Sequence, residues 1–422
     1  MHLAYLDPHP VPDNCPEALQ ILYTVDALGA LGTRVTLVTP NPQPRPPLRQ
    51  DERAKRAGLP SRRAALDSIH SPKPENIADA RAILGRALSA NVQIRHLEPR
   101  RGLWRWLRSN KPFYRMAAAA LKDLKADAVL VRNLKMAEHL LRHAPEVPLF
   151  FETHELFARS YQEEHKRLSL RKHHKLAALA QREEMVYRGA RGLIALTPLL
   201  IDDIRQAYGI DTPAVVAPDG VDLEQAQAPI SAAPHTTPWL LYLGSLHPWK
   251  GVDTLIRALP HVKQPAELHI VGGNEQRIAE LRKLAEELHV VPRVVFHGAV
   301  EPGKRFEYIH EADICLLPLT DIGLGGRYTS PLKLFEYMAA GKAIIVSDLP
   351  SMRQVLTPEQ NALLVPNGDA EAFARSIDRL LTNKELRTRV GDSAKTLAQN
   401  FSWRARSETI LNFVNKSLEH KA

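Results

Sequence analysis

The chain has 422 residues, 44% hydrophobic and 24% charged, enough for two globular domains with a core each, and its two cysteines, Cys15 and Cys315, exclude a disulfide-stapled miniprotein. Two distant thiols are too few for a zinc cluster and point to a reducing compartment. The formal net charge is +9, but residues 45–115 hold 17 Lys+Arg against 6 Asp+Glu, so the basic excess belongs to that segment and the remainder is slightly acidic.

The opening HLAYL, residues 2–6, predicts a strand, and Asp7 and Pro8 break the apolar run too early for a signal peptide. No run reaches the ~20 apolar residues that span a bilayer, so the cytoplasm is the expected location. A helix over 16–31 and a strand over 34–38 complete one βαβ unit. Five prolines between Pro40 and Pro47 predict an extended segment, and 48–125 reads as helices rich in Arg and Ala. Strands follow at 127–132, 148–152, 192–195 and 215–216, with a long helix over 168–189. Thr197-Pro198 opens another helix, a hydroxyl cap followed by proline at the first helical position.

The alternation restarts beyond a proline-rich stretch, with strands at 239–243, 267–271, 294–297, 314–317 and 343–346 and helices between them. The expected fold class is α/β, two Rossmann-like doubly wound domains facing across a cleft. The boundaries are 1–224 for a first domain with a basic helical insertion at about 45–115, 225–238 for a linker, and 239–400 for a second domain. Residues 401–422 form a C-terminal helix expected to pack back toward the first domain.

The strongest signal is SPLKLFEYMAAGK, residues 330–342, in which Ser330 reads as an N-cap, Pro331 as the first helical residue and Gly341 as the stop. Lys333 breaks the local rule, because the helix dipole disfavours a cation in the first turn by ~0.3–1 kcal/mol. An anion at that helix end removes the misfit, and Glu336, one turn on, is placed to accept hydrogen bonds from sugar hydroxyls. A plain surface Lys–Glu pair at i,i+3 accounts for the same spacing. In YLGSLHPWKG, residues 242–251, Gly244 permits a tight turn after a strand and Lys250 becomes a candidate phosphate ligand, or else an exposed loop lysine. Gly272-Gly273 ends another strand, and His154 follows the strand PLFFE in FETHELF, where it can face a substrate hydroxyl or serve as a packing residue.

Together these pieces resemble the retaining glycosyltransferases of family 4, the group 1 transferases of GT-B fold. The resemblance is densest in YLGSLHPWKGVDTLIRAL, VVFHGAV, ADICLLPL, SPLKLFEYMAAGKAIIVSD and NALLVPNGD, and looser in FETHELF and APDGVD. It implies a sugar transfer with retention of configuration, from a nucleotide-sugar donor and without an obligatory metal or other cofactor. His154, Lys250 and Glu336 would be catalytic: Lys250 on the diphosphate, Glu336 on the ribose, His154 facing the donor sugar. Gly244, Ser245, Gly272, Ser330, Leu332 and Lys333 would line the substrate, with His297, Gly298 and Val300 against the base. Three features, at four positions, depart from the family pattern. Tyr328 stands where the first Glu of the paired-Glu motif belongs, Ser245 replaces an Arg, and Asn14 and Cys15 replace loop glycines. Lys333 is the expected compensation for the lost Arg.

In RRGLWRWLRSNKPFYR, residues 100–115, Trp104, Trp106, Phe113 and Tyr114 interleave with arginines, which suits an anionic membrane surface on the inner face of the membrane. A solvated Arg-rich face whose aromatics pack inward is the other reading, and single-stranded nucleic acid, which shares the chemistry, is set aside. The expected acceptor is a lipid-linked or surface polysaccharide precursor. A nucleotide-sugar-binding scaffold without turnover, and an epimerase or phosphorylase on the same fold, are the alternatives.

Overall fold

The computed structural model describes residues 1–13, 15–41, 80–98, 109–165, 169–228, 235–322 and 326–419. Strands β1 (His2–Leu6), β2 (Arg34–Pro40), β3 (Val92–Leu97), β4 (Ala128–Val131), β5 (Leu149–Thr153), β6 (Gly192–Ala195) and β7 (Ala214–Val216) form one parallel sheet in the order β3-β2-β1-β4-β5-β6-β7. Strands β8 (Trp239–Leu243), β9 (Glu267–Val271), β10 (Val294–Gly298), β11 (Ile314–Leu317), β12 (Ala343–Ser347) and β13 (Leu363–Val365) form a second, in the order β10-β9-β8-β11-β12-β13. The central strands are apolar throughout because helices cover both faces.

In the first lobe the helices are α1 (Pro16–Ala30), α2 (Ala80–Leu84), α3 (Lys111–Leu124), α4 (Leu134–His143), α5 (Phe157–Glu164), α6 (Leu170–Gly189), α7 (Pro198–Tyr208) and α8 (Leu223–Gln227). In the second they are α9 (Val252–Ala258), α10 (Glu275–Glu287), α11 (Arg305–Glu311), α12 (Leu332–Ala339), α13 (Pro350–Arg353), α14 (Ala370–Thr382) and α15 (Lys384–Ala398), and α16 (Trp403–Glu419) ends the chain. As the hydroxyl–proline pair predicts, Thr197 Oγ1 caps α7 by accepting from Leu200 N at 3.3 Å.

Three predicted features are corrected, and one further strand is added. The stretch read as helical over 48–125 contains β3, whose Val92 lies in register with Val35 of β2. An edge strand is only half buried, so its polar residues hide it; β13, at the other sheet's edge, is apolar and mostly buried but only three residues long, too short to stand out. The linker does not start at residue 225: α8 runs to Gln227, and Gln225 donates to the Leu84 carbonyl. Phe113 and Tyr114 are buried in the first lobe's core, so they present no aromatic face to a membrane. Trp104 and Trp106, with most of the basic segment, lie outside the described residues.

Helix α16 lies against α1, where Trp403 stacks on Tyr23 at a centroid distance of 5.4 Å and Ile410 and Val414 enter the first lobe's core. Each sheet reverses its strand order at one point, between β1 and β4 and between β8 and β11. Loops at the carboxyl ends of strands beside such points form the crevice of an open α/β sheet.

Candidate functional site

On the second lobe, the chain turns sharply after each strand. Gly272 has φ 114°, and a Cβ there would sit 2.1 Å from the Gly244 carbonyl oxygen, so the loops after β8 and β9 close together only without a side chain. Gly251 follows Lys250 with φ 70°, and its Cβ would lie 1.8 Å from the Pro318 carbonyl oxygen beyond β11. That contact fixes the turn carrying Lys250.

The Lys250 ammonium stands 3.8 Å from the Trp249 ring centroid and has no carboxylate partner among the described residues. Burial, and then the charge of Lys333, lower its pKa to about 8. Two ammonium groups are thus held together beside the start of α12, a helix end that no side chain caps.

Ser330 is not that cap. The helix starts at Leu332 with Pro331 in the cap position, and Ser330 Oγ instead accepts from Asp219 N of the first lobe at 3.0 Å. Lys333 resolves its misfit internally: its Nζ meets Glu336 Oε2 at 2.8 Å. Glu336 Oε1 accepts from Arg305 Nε at 2.7 Å, and Arg305 reaches the Tyr23 hydroxyl of α1 at 3.2 Å. Burial opposes the Glu336 charge, but Lys333 and Arg305 outweigh it and hold the carboxyl below its ordinary range. The pair is therefore a buried cluster at the lobe boundary, not a solvated surface pair. Leu332 packs on the first lobe's core.

A cavity of about 350 Å³ opens between the loops after β8, β9 and β10, lined among others by Ser245, Leu246, Asn274 and Ala299. Ser245 replaces a charge there, and its carbonyl accepts from the Tyr242 hydroxyl at 2.6 Å. The Gly298 carbonyl is already taken by Gly272 N at 2.6 Å. The His297 ring belongs to a ladder, with its Nε2 at 2.9 Å from His269 Nδ1 and His269 stacked on Trp239. Val300 packs on the second lobe's core.

Across the boundary, His154 lies at the end of β5. Arg132 Nη2 donates to its Nδ1 at 3.1 Å, so Nε2 carries the proton and donates to Glu152 Oε1 at 2.8 Å. Burial, then Arg132, drive the His154 pKa down to about 4, which leaves a neutral ring with both nitrogens engaged. Glu152 is fully buried and accepts from Arg406 Nη2 of α16 at 2.7 Å. Gln20 of α1 bridges this network to Asp219, whose carboxyl burial pushes up to about 7. Cys15 caps α1, its Sγ accepting from Ala18 N at 3.4 Å, and burial pushes its thiol up to about 11; Asn14 lies outside the described residues.

Tyr328 turns away from a Glu-like role. Its hydroxyl donates to Asp203 of α7 and accepts from Arg159 Nη1 at 3.0 Å, while Arg327 grips both Asp203 oxygens at 2.6 and 2.7 Å. Arg132, Glu152, Asp219, Arg305 and Arg406 escape sequence reasoning. Glu152 alone gives a local signal, a carboxylate ending an apolar strand.

Residues 237–383 match the family model described as glycosyl transferases group 1, and residues 19–225 match that of glycosyltransferase family 4. A D-inositol 3-phosphate glycosyltransferase of Xylanimonas cellulosilytica is 27% identical over 238 residues, 52% of this chain and 56% of that protein. A phosphatidyl-myo-inositol mannosyltransferase of Mycobacterium leprae is 32% identical over 218 residues, 50% of this chain and 55% of that protein. The chain thus spans about half the length of the curated relatives it matches. Among solved structures, a sucrose-phosphate synthase from Thermosynechococcus elongatus superposes with a TM-score of 0.73 at 19% identity over 100% of both chains. Anabaena HepE in complex with UDP gives 0.67 at 16% identity, covering 99% of this chain and 100% of that one. No helix among the described residues is long and apolar enough to cross a membrane.

Proposed function

Given that the chain belongs to the group 1, family 4 glycosyltransferases, we propose that it moves a sugar from a nucleotide-sugar donor to an acceptor with retention of configuration. The observation that carries this reading is Lys250: a desolvated ammonium without a carboxylate partner among the described residues, beside Lys333 and an uncapped helix start. A diphosphate supplies the missing negative charge, and fixed positive charge stabilises it as leaving group. This needs no obligatory metal. Glu336 keeps acceptor capacity beyond its two cationic partners and binds the ribose. The 350 Å³ cavity takes the base, as the UDP complex of a like-folded protein suggests.

Neutral His154 faces the donor sugar, released from one of its two partners when the sugar arrives. The acceptor belongs on the first lobe and is a lipid-linked or surface polysaccharide precursor; the phosphatidyl-myo-inositol in one relative's name supports the lipid-linked form. Residues 45–115 would then hold the protein peripherally on the inner face of the membrane.

A thermal-shift panel of UDP-, GDP-, ADP- and CMP-sugars with their free nucleotides tests the proposal. One nucleotide family should raise Tm with the logarithm of concentration and release nucleotide slowly from its sugar. Silence across the whole panel would overturn it.

A further inference from the structure

We propose a second anion site, on the outer side of the first lobe and distinct from the interlobe cleft, that binds a ligand bearing two or more phosphoryl groups. A groove of about 600 Å³ runs along α3 and α4 and is closed on one side by α6. Five cations line it against one carboxylate, Glu138. That carboxylate is spent: Arg142 holds Oε1 at 3.0 Å and Arg182 holds Oε2. Lys111, Arg115 and Lys135 remain, and none has a carboxylate partner among the described residues.

An ordinary solvated basic face is convex, with each charge splayed into water. Here the cations line a concavity, where one anion can meet more than one of them. The wall carries a further unspent group: His139 Nε2 is buried with no hydrogen-bond partner, and its ring stacks on His143 at 4.0 Å.

Placement sets the ligand class. Lys135 stands in the first turn of α4, just beyond Arg132 at the cleft edge. The 10 residues of α4 carry the groove ~15 Å down the lobe. The volume exceeds that of one phosphate and three lining cations lack a carboxylate partner among the described residues, so several phosphoryl groups fit better than one. Lysine and arginine donors make charge-assisted hydrogen bonds to such oxygens.

Two probes separate a soluble ligand from a lipid headgroup: inorganic tripolyphosphate, and vesicles of cardiolipin, whose headgroup carries two phosphoryl groups, in phosphatidylcholine beside pure phosphatidylcholine. All chains compared carry Lys250→Met, which weakens the diphosphate cradle of the cleft: the otherwise unaltered chain, the variant with Arg115→Glu/Lys135→Glu, both exposed positions, and a charge-matched control on the other lobe, Arg257→Glu/Lys384→Glu. Tripolyphosphate should bind by calorimetry, at least ~10-fold more weakly to the double variant and unchanged to the control. Vesicle binding with the same dependence, competed by tripolyphosphate, assigns the site to a headgroup; tripolyphosphate binding without vesicle binding assigns it to a soluble phosphorylated ligand. Binding of neither probe, or equal binding by the double variant, overturns the proposal. None of these readouts requires sugar transfer.

Discussion

A lysine without a counter-charge in a desolvated corner is an unusual thing for a sequence to keep, because burying an ammonium without compensation is costly. Lys250→Met should therefore leave Tm unchanged or raised while weakening binding of the stabilising nucleotide by ~10–100-fold, as expected when a charge-assisted contact is lost. The sign of the pH effect follows from the lowered pKa. Below about 8 the ammonium is protonated and nucleotide binding is undiminished; above it, affinity falls as the free protein gives up the proton the ligand needs. A calorimetric series from neutral to alkaline pH checks this, and the Met variant should be flat. His154 shows the opposite case, a residue whose environment is saturated. Its folded pKa of about 4 lies below the ordinary imidazole value, so stability is intact at neutral pH and declines as the unfolded chain alone takes up a proton on acidification. Urea midpoints measured between neutrality and that value should fall for the parent and fall less for His154→Gln.

At the scale of the element, α12 shows what a motif reveals and what it conceals. The sequence places the helix and its glycine stop, because punctuation is local. It misassigns Ser330, because whether a serine caps its own helix or a neighbouring lobe is decided by residues more than 100 positions away. Ser330→Ala should accordingly cost only ~1 kcal/mol, the worth of one hydrogen bond, and helix content by circular dichroism should not change. The same logic explains the other omissions. Central strands are apolar runs and legible as such; β3 is an edge with half a face in water, and β13 is only three residues long. Arg406 sits on an ordinary-looking amphipathic helix, and nothing nearby announces that it neutralises Glu152 254 positions earlier. Glu152→Gln would leave Arg406 without its anion, so an equilibrium unfolding loss of about 3–5 kcal/mol is expected for breaking so buried a pair.

The whole molecule is two sheets held in register by a few polar bonds across the cleft, and Asp203 gathers more of them than any other group named above. It accepts from Arg327 through both oxygens, from Tyr328 and from Arg159, so a carboxylate on the first lobe holds the loop that leads into α12 of the second. Tyr328, in the place of an expected Glu, thus serves the joint between the lobes. Arg327 and Arg159 are 41% and 49% exposed, so solvent screens the clasp and its worth is about 1–2 kcal/mol, far less than the covalent continuity of α8 and α16. That is the right size for a joint that must open to admit substrate and close again. Arg327, then Tyr328, lower the Asp203 pKa, so the clasp is intact above the ordinary Asp value of about 3.9 and is lost as pH falls through the lowered folded value. Asp203→Asn should widen the lobes at neutral pH: small-angle scattering should show a larger radius of gyration, with circular dichroism unchanged. Since Lys250 and its cavity lie within the second lobe, nucleotide affinity should hold while turnover falls, a split that damage to the donor pocket itself would not produce. An unchanged radius together with a parallel loss of affinity and turnover would show that Asp203 acts on the pocket rather than on the joint.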